Sequence, residues 1–339
     1  MNQTLSALVD RFTIALFVSV ALASVVPCRG EAAVIFAWIT KLAIALLFFM
    51  HGAKLSREAV VAGITHWRLH LLVFLCTFAL FPLFGLMLQP LTDALVGPQL
   101  ALGMLFLCTL PATVQSSIAF TSIARGNVPA AVCSASFSSL IGIVLTPLLV
   151  AALIHTRGAA MAPGNALRDI TLQLFVPFMA GQLARRWIGA FIERHRAVLS
   201  IVDRGSILLV VYTAFSAAVV EGLWYQVSAS ALIGLLLLCC LLLAIALLAT
   251  SQLGKRLGFS REDRITILFC GSKKSLASGV PMANVLFASS AVGTIVLPLM
   301  LFHQIQLMVC AVLAQRYARQ STAADTATAR VDEEVDTAD

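Results

Sequence analysis

Ten long apolar stretches take up most of the sequence, and they limit what the chain can fold into. They cover residues 12–28, 33–51, 69–91, 99–124, 128–155, 170–185, 206–224, 230–253, 265–287 and 291–315. A helix of about 20 apolar residues is long enough to cross the hydrocarbon core of a bilayer. The pattern predicts an all-α integral membrane protein with ten transmembrane helices.

The composition agrees with this prediction and argues against other classes of protein. Hydrophobic residues make up 60% of the 339 residues and charged residues 12%, whereas about a quarter of an average soluble domain is charged. The net charge of +7 comes from basic residues between the apolar stretches, so it does not indicate nucleic-acid binding. The eight cysteines form no Cys-X-X-Cys pair and the histidines lack ligand spacing, so we expect no metal cofactor and no enzyme activity.

The basic residues are distributed unevenly between the two sides of the predicted membrane. With a cytoplasmic N-terminus, 17 of the 23 lysines and arginines fall in cytoplasmic segments and three on the opposite side. Positively charged loops stay in the cytoplasm, which predicts cytoplasmic N- and C-termini. Residues 187–203, where apolar and basic residues mix at helical spacing, predict an interfacial helix.

The two halves of the sequence carry similar landmarks in the same order. Leu-Phe-Leu-Cys108 and Ile-Leu-Phe-Cys270 precede the polar parts of the fourth and ninth stretches. Gly142 and Gly293 each precede a proline by five residues in the fifth and tenth. An odd number of spans per half inverts the second copy. We therefore predict two five-helix inverted repeats, 1–155 and 156–319, and a disordered acidic cytoplasmic tail, 320–339.

Pro111 lies inside the fourth stretch, next to a group of polar side chains. Proline lacks an N–H group and frees a carbonyl one turn earlier in a helix. The polar side chains that follow it are Thr113, Gln115, Ser116 and Ser117. Oxygen ligands of this kind suit a hard cation such as Na⁺, although hydroxyl groups also simply join neighbouring membrane helices.

Two adjacent lysines, Lys273 and Lys274, lie in the ninth stretch near Gly271, Gly279 and Pro281, which weaken or break a helix. Roughly 12 Å of helix precedes Lys273, which places the pair near mid-depth. A charge there costs several kcal/mol and usually marks an ion or substrate path. The alternative is that the side chains extend to the membrane surface.

Neighbouring helical residues point about 100° apart, so the two lysines can share one pocket only if the helix is unwound. Because the spans contain almost no carboxylates, we expect the hydroxyl groups of Ser272, Ser275 and Ser278, together with carbonyl groups, to solvate the ammonium groups. One lysine could carry a proton during transport. In the tenth stretch, His303 and Gln306 share a helix face and either line the pathway or bond to neighbouring helices.

The chain resembles the bile acid:sodium symporter superfamily, in particular its bacterial symporter-like branch related to the seventh member of the vertebrate bile-acid carrier family. The motifs are Phe-Met-His-Gly-Ala-Lys-Leu-Ser56, Leu-Pro-Ala-Thr-Val-Gln-Ser-Ser117, Ala-Arg-Gly-Asn-Val128, Phe-Cys-Gly-Ser-Lys-Lys-Ser-Leu-Ala277 and His-Gln-Ile-Gln-Leu307. The resemblance implies a panel of spans one, two, six and seven and a core of the other six, with discontinuous helices 4 and 9 crossing in the core. Substrate would bind between panel and core, and coupling ions behind the crossing.

The resemblance also places sodium-binding positions on this sequence. The family's serine and asparagine of the fourth helix fall near Ser116 and Ser117, and its ninth-helix glutamate and Gln-Asn pair fall at Phe269, Lys273 and Lys274. A sodium ion 4 Å from an ammonium group would be repelled by about 4 kcal/mol at an effective dielectric constant of 20. We therefore hypothesise that a lysine ammonium replaces one bound sodium ion.

Together these observations predict a secondary transporter that works by alternating access in the bacterial inner membrane. Its substrate would be a small organic anion, because two lysines and two helix N-termini make the site electropositive. The coupling ion would be Na⁺ or H⁺, with no other cofactor. The alternatives are a conventional sodium symporter that uses oxygens of helices 4 and 5, and a non-transporting membrane regulator with the same fold.

Overall fold

The computed structural model describes residues 11–54, 66–154 and 171–336, and every regular element within these ranges is a helix, with no β-strand among them. The all-α prediction is confirmed for the described residues. Within the described ranges, six helical segments are long and apolar enough to cross a membrane, namely Gly30–Ala53, Trp67–Val96, Val128–Ile154, Ala197–Val220, Ala229–Arg256 and Ser289–Gln320.

The α-helices are numbered here in chain order. They are α1 Arg11–Val25, α2 Gly30–Lys54, α3 Trp67–Leu75, α4 Phe81–Val96, α5 Pro98–Thr109, α6 Gln115–Ile123, α7 Val128–Ile154, α8 Val176–Arg194, α9 Arg196–Val220, α10 Leu223–Gln226, α11 Ala229–Arg256, α12 Arg261–Gly271, α13 Leu276–Leu286 and α14 Ser289–Asp336. Two π-helical turns, Cys76–Leu80 and Thr171–Phe175, lead into α4 and α8.

The fourth and ninth apolar stretches are each interrupted at their polar residues. α5 ends at Thr109 and α6 begins at Gln115, while α12 ends at Gly271 and α13 begins at Leu276. Pro111 cannot continue the hydrogen-bonding pattern of α5. Ser275 caps α13, because its hydroxyl oxygen accepts a hydrogen bond from the N–H group of Ser278 at 3.2 Å.

Small residues bring the long helices into close contact. α2 packs along α8 through Gly52 and Gly181. A Cβ atom on Gly52 would lie 2.0 Å from the carbonyl oxygen of Phe178, and one on Gly181 would lie 1.9 Å from that of Phe49. α9 packs against both α1 and α14. Glycine at these contacts lets helix backbones approach more closely than any larger side chain permits.

The structure corrects the predicted interfacial helix and does not describe the predicted boundary between the repeats. Residues 187–203 do not form a separate interfacial helix, because α8 continues to Arg194 and α9 begins at Arg196. The prediction was wrong because an amphipathic pattern also fits the ends of two long helices that join at a tight turn. The boundary predicted between the repeats, at residues 155 and 156, lies outside the described residues.

The chain end also differs from its expected form. α14 continues to Asp336, whereas the sequence predicts a disordered tail from residue 320 onward. The segment is rich in alanine and also contains arginine and glutamate, which have high helix propensity, and this accounts for its helical backbone.

Candidate functional site

The two helix breaks lie against each other and form the centre of the candidate site. The N–H group of Ser275, in the second break, donates a hydrogen bond to the carbonyl group of Pro111, in the first, at 2.9 Å. α7 supports the first break, because the hydroxyl oxygen of Ser138 accepts from the N–H group of Ala112 at 3.0 Å. The backbone groups freed by the breaks are thus satisfied by neighbouring elements, as buried polar groups require.

Lys274 is fully buried, and backbone oxygens surround its ammonium group. Nζ donates to three carbonyl oxygens, those of Thr77 at 2.7 Å, Leu110 at 2.7 Å and Cys108 at 3.0 Å. An ammonium group has three N–H bonds, so all of its donors have partners. The ring of Phe81 covers the group, with its centroid 4.2 Å from Nζ. We call these three carbonyl groups the carbonyl cage.

Each carbonyl of the cage lacks a partner in its own helix for an identifiable reason. The N–H group of Phe81 bonds to Cys76 instead of Thr77, as the π-helical turn requires. The next residue is Pro82, which has no N–H group. The carbonyl of Thr77 is therefore free in either hydrogen-bonding register. Cys108 and Leu110 lie at and just beyond the end of α5, where carbonyls have no intrahelical donor and the helix dipole favours a cation.

The backbone of Lys274 is held as firmly as its side chain. Gln306, fully buried on α14, accepts from the N–H group of Lys274 through Oε1 and donates to its carbonyl through Nε2, both at 2.9 Å. Nε2 also lies 2.9 Å from Nδ1 of His303. Because an amide nitrogen only donates, Nδ1 accepts and the proton of a neutral His303 ring is on Nε2.

Lys273 is also fully buried, but it has a different environment. Nζ has one hydrogen bond, to the hydroxyl oxygen of Ser116, and the bond is long at 3.5 Å. The rings of Phe120 and Phe269 lie beside the ammonium group, with centroids 4.3 Å and 5.5 Å from Nζ. Cation–π contacts therefore provide much of its solvation.

A chain of hydroxyl groups continues from Lys273 across α6. Oγ1 of Thr113 lies 2.8 Å from Oγ of Ser116 and 3.0 Å from Oγ of Ser117, and Ser117 donates to the carbonyl of Phe269 at 3.0 Å. Each hydroxyl has one proton. Since Ser117 donates to Phe269, Thr113 must donate to Ser117 and Ser116 to Thr113. The chain thus runs in one direction and ends at a backbone carbonyl.

The other predicted site residues are on α6 or at the second helix break, and the serines at the break do not bond to the ammonium groups as expected. Gln115 is exposed on α6, and Ser116 is half-buried beside it. The hydroxyl of Ser272 donates to the carbonyl of Leu268 on its own helix, and Ser275 caps α13. The hydroxyl of Ser278 accepts from that of Ser275 at 3.3 Å, and none of the three hydroxyls bonds to an ammonium group. The expectation that they solvate the lysines was wrong, because each had a closer partner in its own helix.

The sequence analysis missed Thr77, Phe81 and Phe120. Thr77 contributes only its carbonyl oxygen, which any residue type possesses, so its side chain carried no signal. The signal was Pro82, which removes an N–H group from the third apolar stretch. The two aromatic rings look like ordinary lipid-facing or packing residues in sequence.

A separate cavity of about 190 Å³ lies between α9 and the beginning of α14. Its lining includes Gln99, Glu221, Ser290 and Thr294. Thr294 precedes Gln306 by 12 positions, or roughly 18 Å of helix, so this cavity lies away from the two lysines.

Comparison with known proteins supplies a family. The model of the SBF-like CPA transporter family (DUF4137) matches residues 10–319. The "Uncharacterized protein PA2026" of Pseudomonas aeruginosa is 67% identical over 92% of this chain and 93% of its own length. The "Putative symporter YfeH" of Escherichia coli K12 is 55% identical over 93% of this chain and 94% of its own length. The "Sodium/bile acid cotransporter 7" of Rattus norvegicus is 29% identical over 81% and 82%.

Proposed function

The chain belongs to the SBF-like CPA transporter family, and we propose that it transports a small organic anion with Lys274 as a built-in cation. It is a multi-pass membrane protein of a family of transporters, and the family and relatives are not enzymes. We place it in the bacterial inner membrane, with both termini in the cytoplasm. The relatives named sodium/bile acid cotransporter 7 carry sodium in their name, which makes the coupling ion the central question.

The carbonyl cage around Lys274 is the observation that carries the proposal. Carbonyl oxygens from separate segments are the ligands with which membrane proteins replace the hydration shell of a metal cation. Here Nζ takes up all three at 2.7–3.0 Å. A sodium ion cannot enter the cage without removing the ammonium group. We infer that the positive charge needed to hold the two breaks together is covalently attached.

Helix packing supports the proposed ten-helix arrangement with inverted repeats. α2 packs with α8 and α9 with α1. These helices are spans one, two, six and seven, so the pairs join span two to span six and span seven to span one. Exchanging the two five-span repeats turns one pair into the other, as a twofold relation between the repeats requires. Each broken span is also held by the following long helix, through Ser138 in α7 and Gln306 in α14. α1, α2, α8 and α9 would form the panel, and the other helices the core.

An anionic substrate fits the charges at the crossing. Two ammonium groups lie there with no carboxylate partner among the described residues. α6 begins next to Lys273 and α13 next to Lys274, and helix N-termini attract anions. Gln115 is exposed at the first turn of α6, and an exposed amide at this depth favours a water-filled cleft over lipid.

A sodium symporter remains the second candidate, since the hydroxyl groups of Thr113, Ser116 and Ser117 form an oxygen cluster. Lys273 contacts this cluster through Ser116 and would repel a sodium ion bound there. The regulator hypothesis predicts a structure that tolerates substitutions at the site without loss of phenotype.

A thermal-shift screen of the purified protein tests the proposal. Organic anions are added in sodium or potassium salts from about pH 5.5 to about pH 8.5. A ligand at a hundredfold excess over its dissociation constant stabilises the folded state by about 2.7 kcal/mol. We expect an anion-specific shift that is equal in both salts. A sodium-specific shift in the wild-type protein would contradict the proposal, and no shift with any anion would favour the regulator.

A further inference from the structure

We propose that Lys273 is the proton-exchanging group of this transporter, so that the proton is the ion coupled to transport of the anion. This inference rests on the proposed function and assigns different tasks to the two adjacent lysines. Lys274 keeps its charge as a fixed part of the crossing, and Lys273 gains and loses a proton in each cycle.

The first observation concerns the hydrogen bonds that each ammonium group would lose on deprotonation to a neutral amine. A neutral amine has two N–H bonds and a lone pair that needs a donor. In the carbonyl cage, Lys274 would point this lone pair at a carbonyl oxygen, because all three partners of Nζ are acceptors. Deprotonation of Lys274 would therefore break a bond and create a repulsive contact.

Lys273 has a partner in both protonation states. As an ammonium group it donates to Ser116 at 3.5 Å. As an amine it can accept from the same hydroxyl, if the proton of Ser116 turns from Thr113 toward Nζ. Thr113 keeps its own bond to Ser117 during this rotation. The loss of charge then costs the contacts to the two rings and the bond from Ser116 to Thr113, but it leaves no buried lone pair facing an acceptor.

The second observation is the position of Ser116. It is half-buried, and its neighbour Gln115 is exposed, whereas Lys273 is fully buried. One side chain therefore separates Nζ from the exposed face of α6. On the other side, the hydroxyl chain ends at the carbonyl of Phe269, which cannot take up a proton. The exit for a proton is thus through the Ser116 side.

The third observation is the absence of a fixed counter-ion in the part of the chain that the structure describes. The titratable groups that interact with Lys273 are two thiols, Cys270 near the end of α12 and Cys310 on α14. α6 contributes only the hydroxyl of Ser116 and the ring of Phe120. No carboxylate locks Lys273 in its charged form, and an anionic substrate can serve as the missing counter-ion.

These observations define one balanced cycle. On one side of the membrane, a hydronium ion gives its proton to the lone pair of the Lys273 amine and becomes water, and the new ammonium group attracts the anion. On the other side, the N–H bond breaks, the electron pair stays on nitrogen and the proton passes to water near Ser116. The anion then leaves, because its counter-charge is gone. One proton crosses with each anion, and Lys273 returns to its initial state.

Nuclear magnetic resonance of lysine Cε carbons tests this inference without a known substrate. The chain has only five lysines, and a carbon next to nitrogen reports whether that nitrogen is protonated. Protein labelled with ¹³C at Cε is titrated in detergent from about pH 6 to about pH 10.5. Arginine substitutions of Lys41, Lys54 and Lys255, and then of Lys273, assign the signals.

We expect the Lys273 signal to shift to the amine position while the Lys274 signal stays at the ammonium position. Ser116→Ala should raise the midpoint of Lys273 by up to about one pH unit, because the lone pair of the amine then has no donor, whereas the ammonium group loses only a long bond of 3.5 Å. Ser122→Ala, on the exposed face of α6 and outside the hydroxyl chain, is the matched control and should leave the midpoint in place. If Lys273→Arg does not fold, the response to Ser116→Ala identifies the Lys273 signal.

A Lys273 signal that stays at the ammonium position throughout would overturn the inference, and so would a Lys274 that loses its proton first. Neither result depends on the anion screen. The proposed transport of an anion can therefore fail or stand separately from this assignment of the coupling proton.

Discussion

Two adjacent lysines share one helix break and the same complete burial, yet their surroundings differ. Lys274 Nζ has three carbonyl partners at 2.7–3.0 Å, whereas Lys273 Nζ has one hydroxyl partner at 3.5 Å and two aromatic rings. The comparison shows that burial does not determine the role of a charge. The hydrogen-bond partners determine whether the charge stabilises the fold or can be released.

The largest expected effect follows from removing the charge of Lys274. Lys274→Met keeps the volume and leaves three buried carbonyls without donors, so it should lower the free energy of unfolding by about 3–5 kcal/mol. Thermal and denaturant unfolding in detergent measure this change. A loss below about 1 kcal/mol would show that the carbonyl cage does not hold the crossing together.

Gln306→Leu should have the second largest effect. It leaves the N–H and C=O groups of Lys274 unpaired in the interior, each at a cost of about 1–3 kcal/mol. The same unfolding measurement applies, with Gln115→Leu as the exposed control. If the two leucine variants were equally stable, the two hydrogen bonds from Gln306 to the backbone of Lys274 would contribute nothing to stability.

Much of the fold was predictable from the sequence, because apolar length and period define membrane helices. The break in the ninth stretch and the burial of its lysines followed from glycine, proline and charge at mid-depth. The hydrogen-bond partners of Lys274 could not be predicted from the sequence, since Thr77 lies 197 positions away and acts through its backbone. The sequence also did not show whether a hydroxyl group would bond to a lysine or to its own helix. Ser272 bonds to its own helix.

Ser117→Ala should have a smaller effect than either of these changes. It removes the bond to the carbonyl of Phe269 that joins α6 to α12, for a cost of about 1–2 kcal/mol. Ser116→Ala, the neighbouring control, loses a long bond to Lys273 and should cost less. The reverse order of the two variants would mean that the hydroxyl chain is organised around Lys273.

Lys273→Met should have the smallest effect on stability, within about 1 kcal/mol of the wild-type protein, because replacing a poorly paired buried charge with an apolar side chain is often neutral. The same variant should lose anion-dependent stabilisation in the thermal-shift screen. An unfolded Lys273→Met protein would place both lysines in the same structural role.

The response of Lys274→Ala to sodium tests the central claim most directly. Truncation empties the carbonyl cage but leaves its three oxygens, and we expect Na⁺ to raise the melting temperature of this variant above that in K⁺. In the wild-type protein and in Lys274→Met a side chain fills the cage. For each of these two proteins, the melting temperature in Na⁺ should therefore equal its own melting temperature in K⁺. Stabilisation of the wild-type protein by sodium, with Lys274→Ala insensitive to it, would contradict the account of Lys274 as a built-in cation.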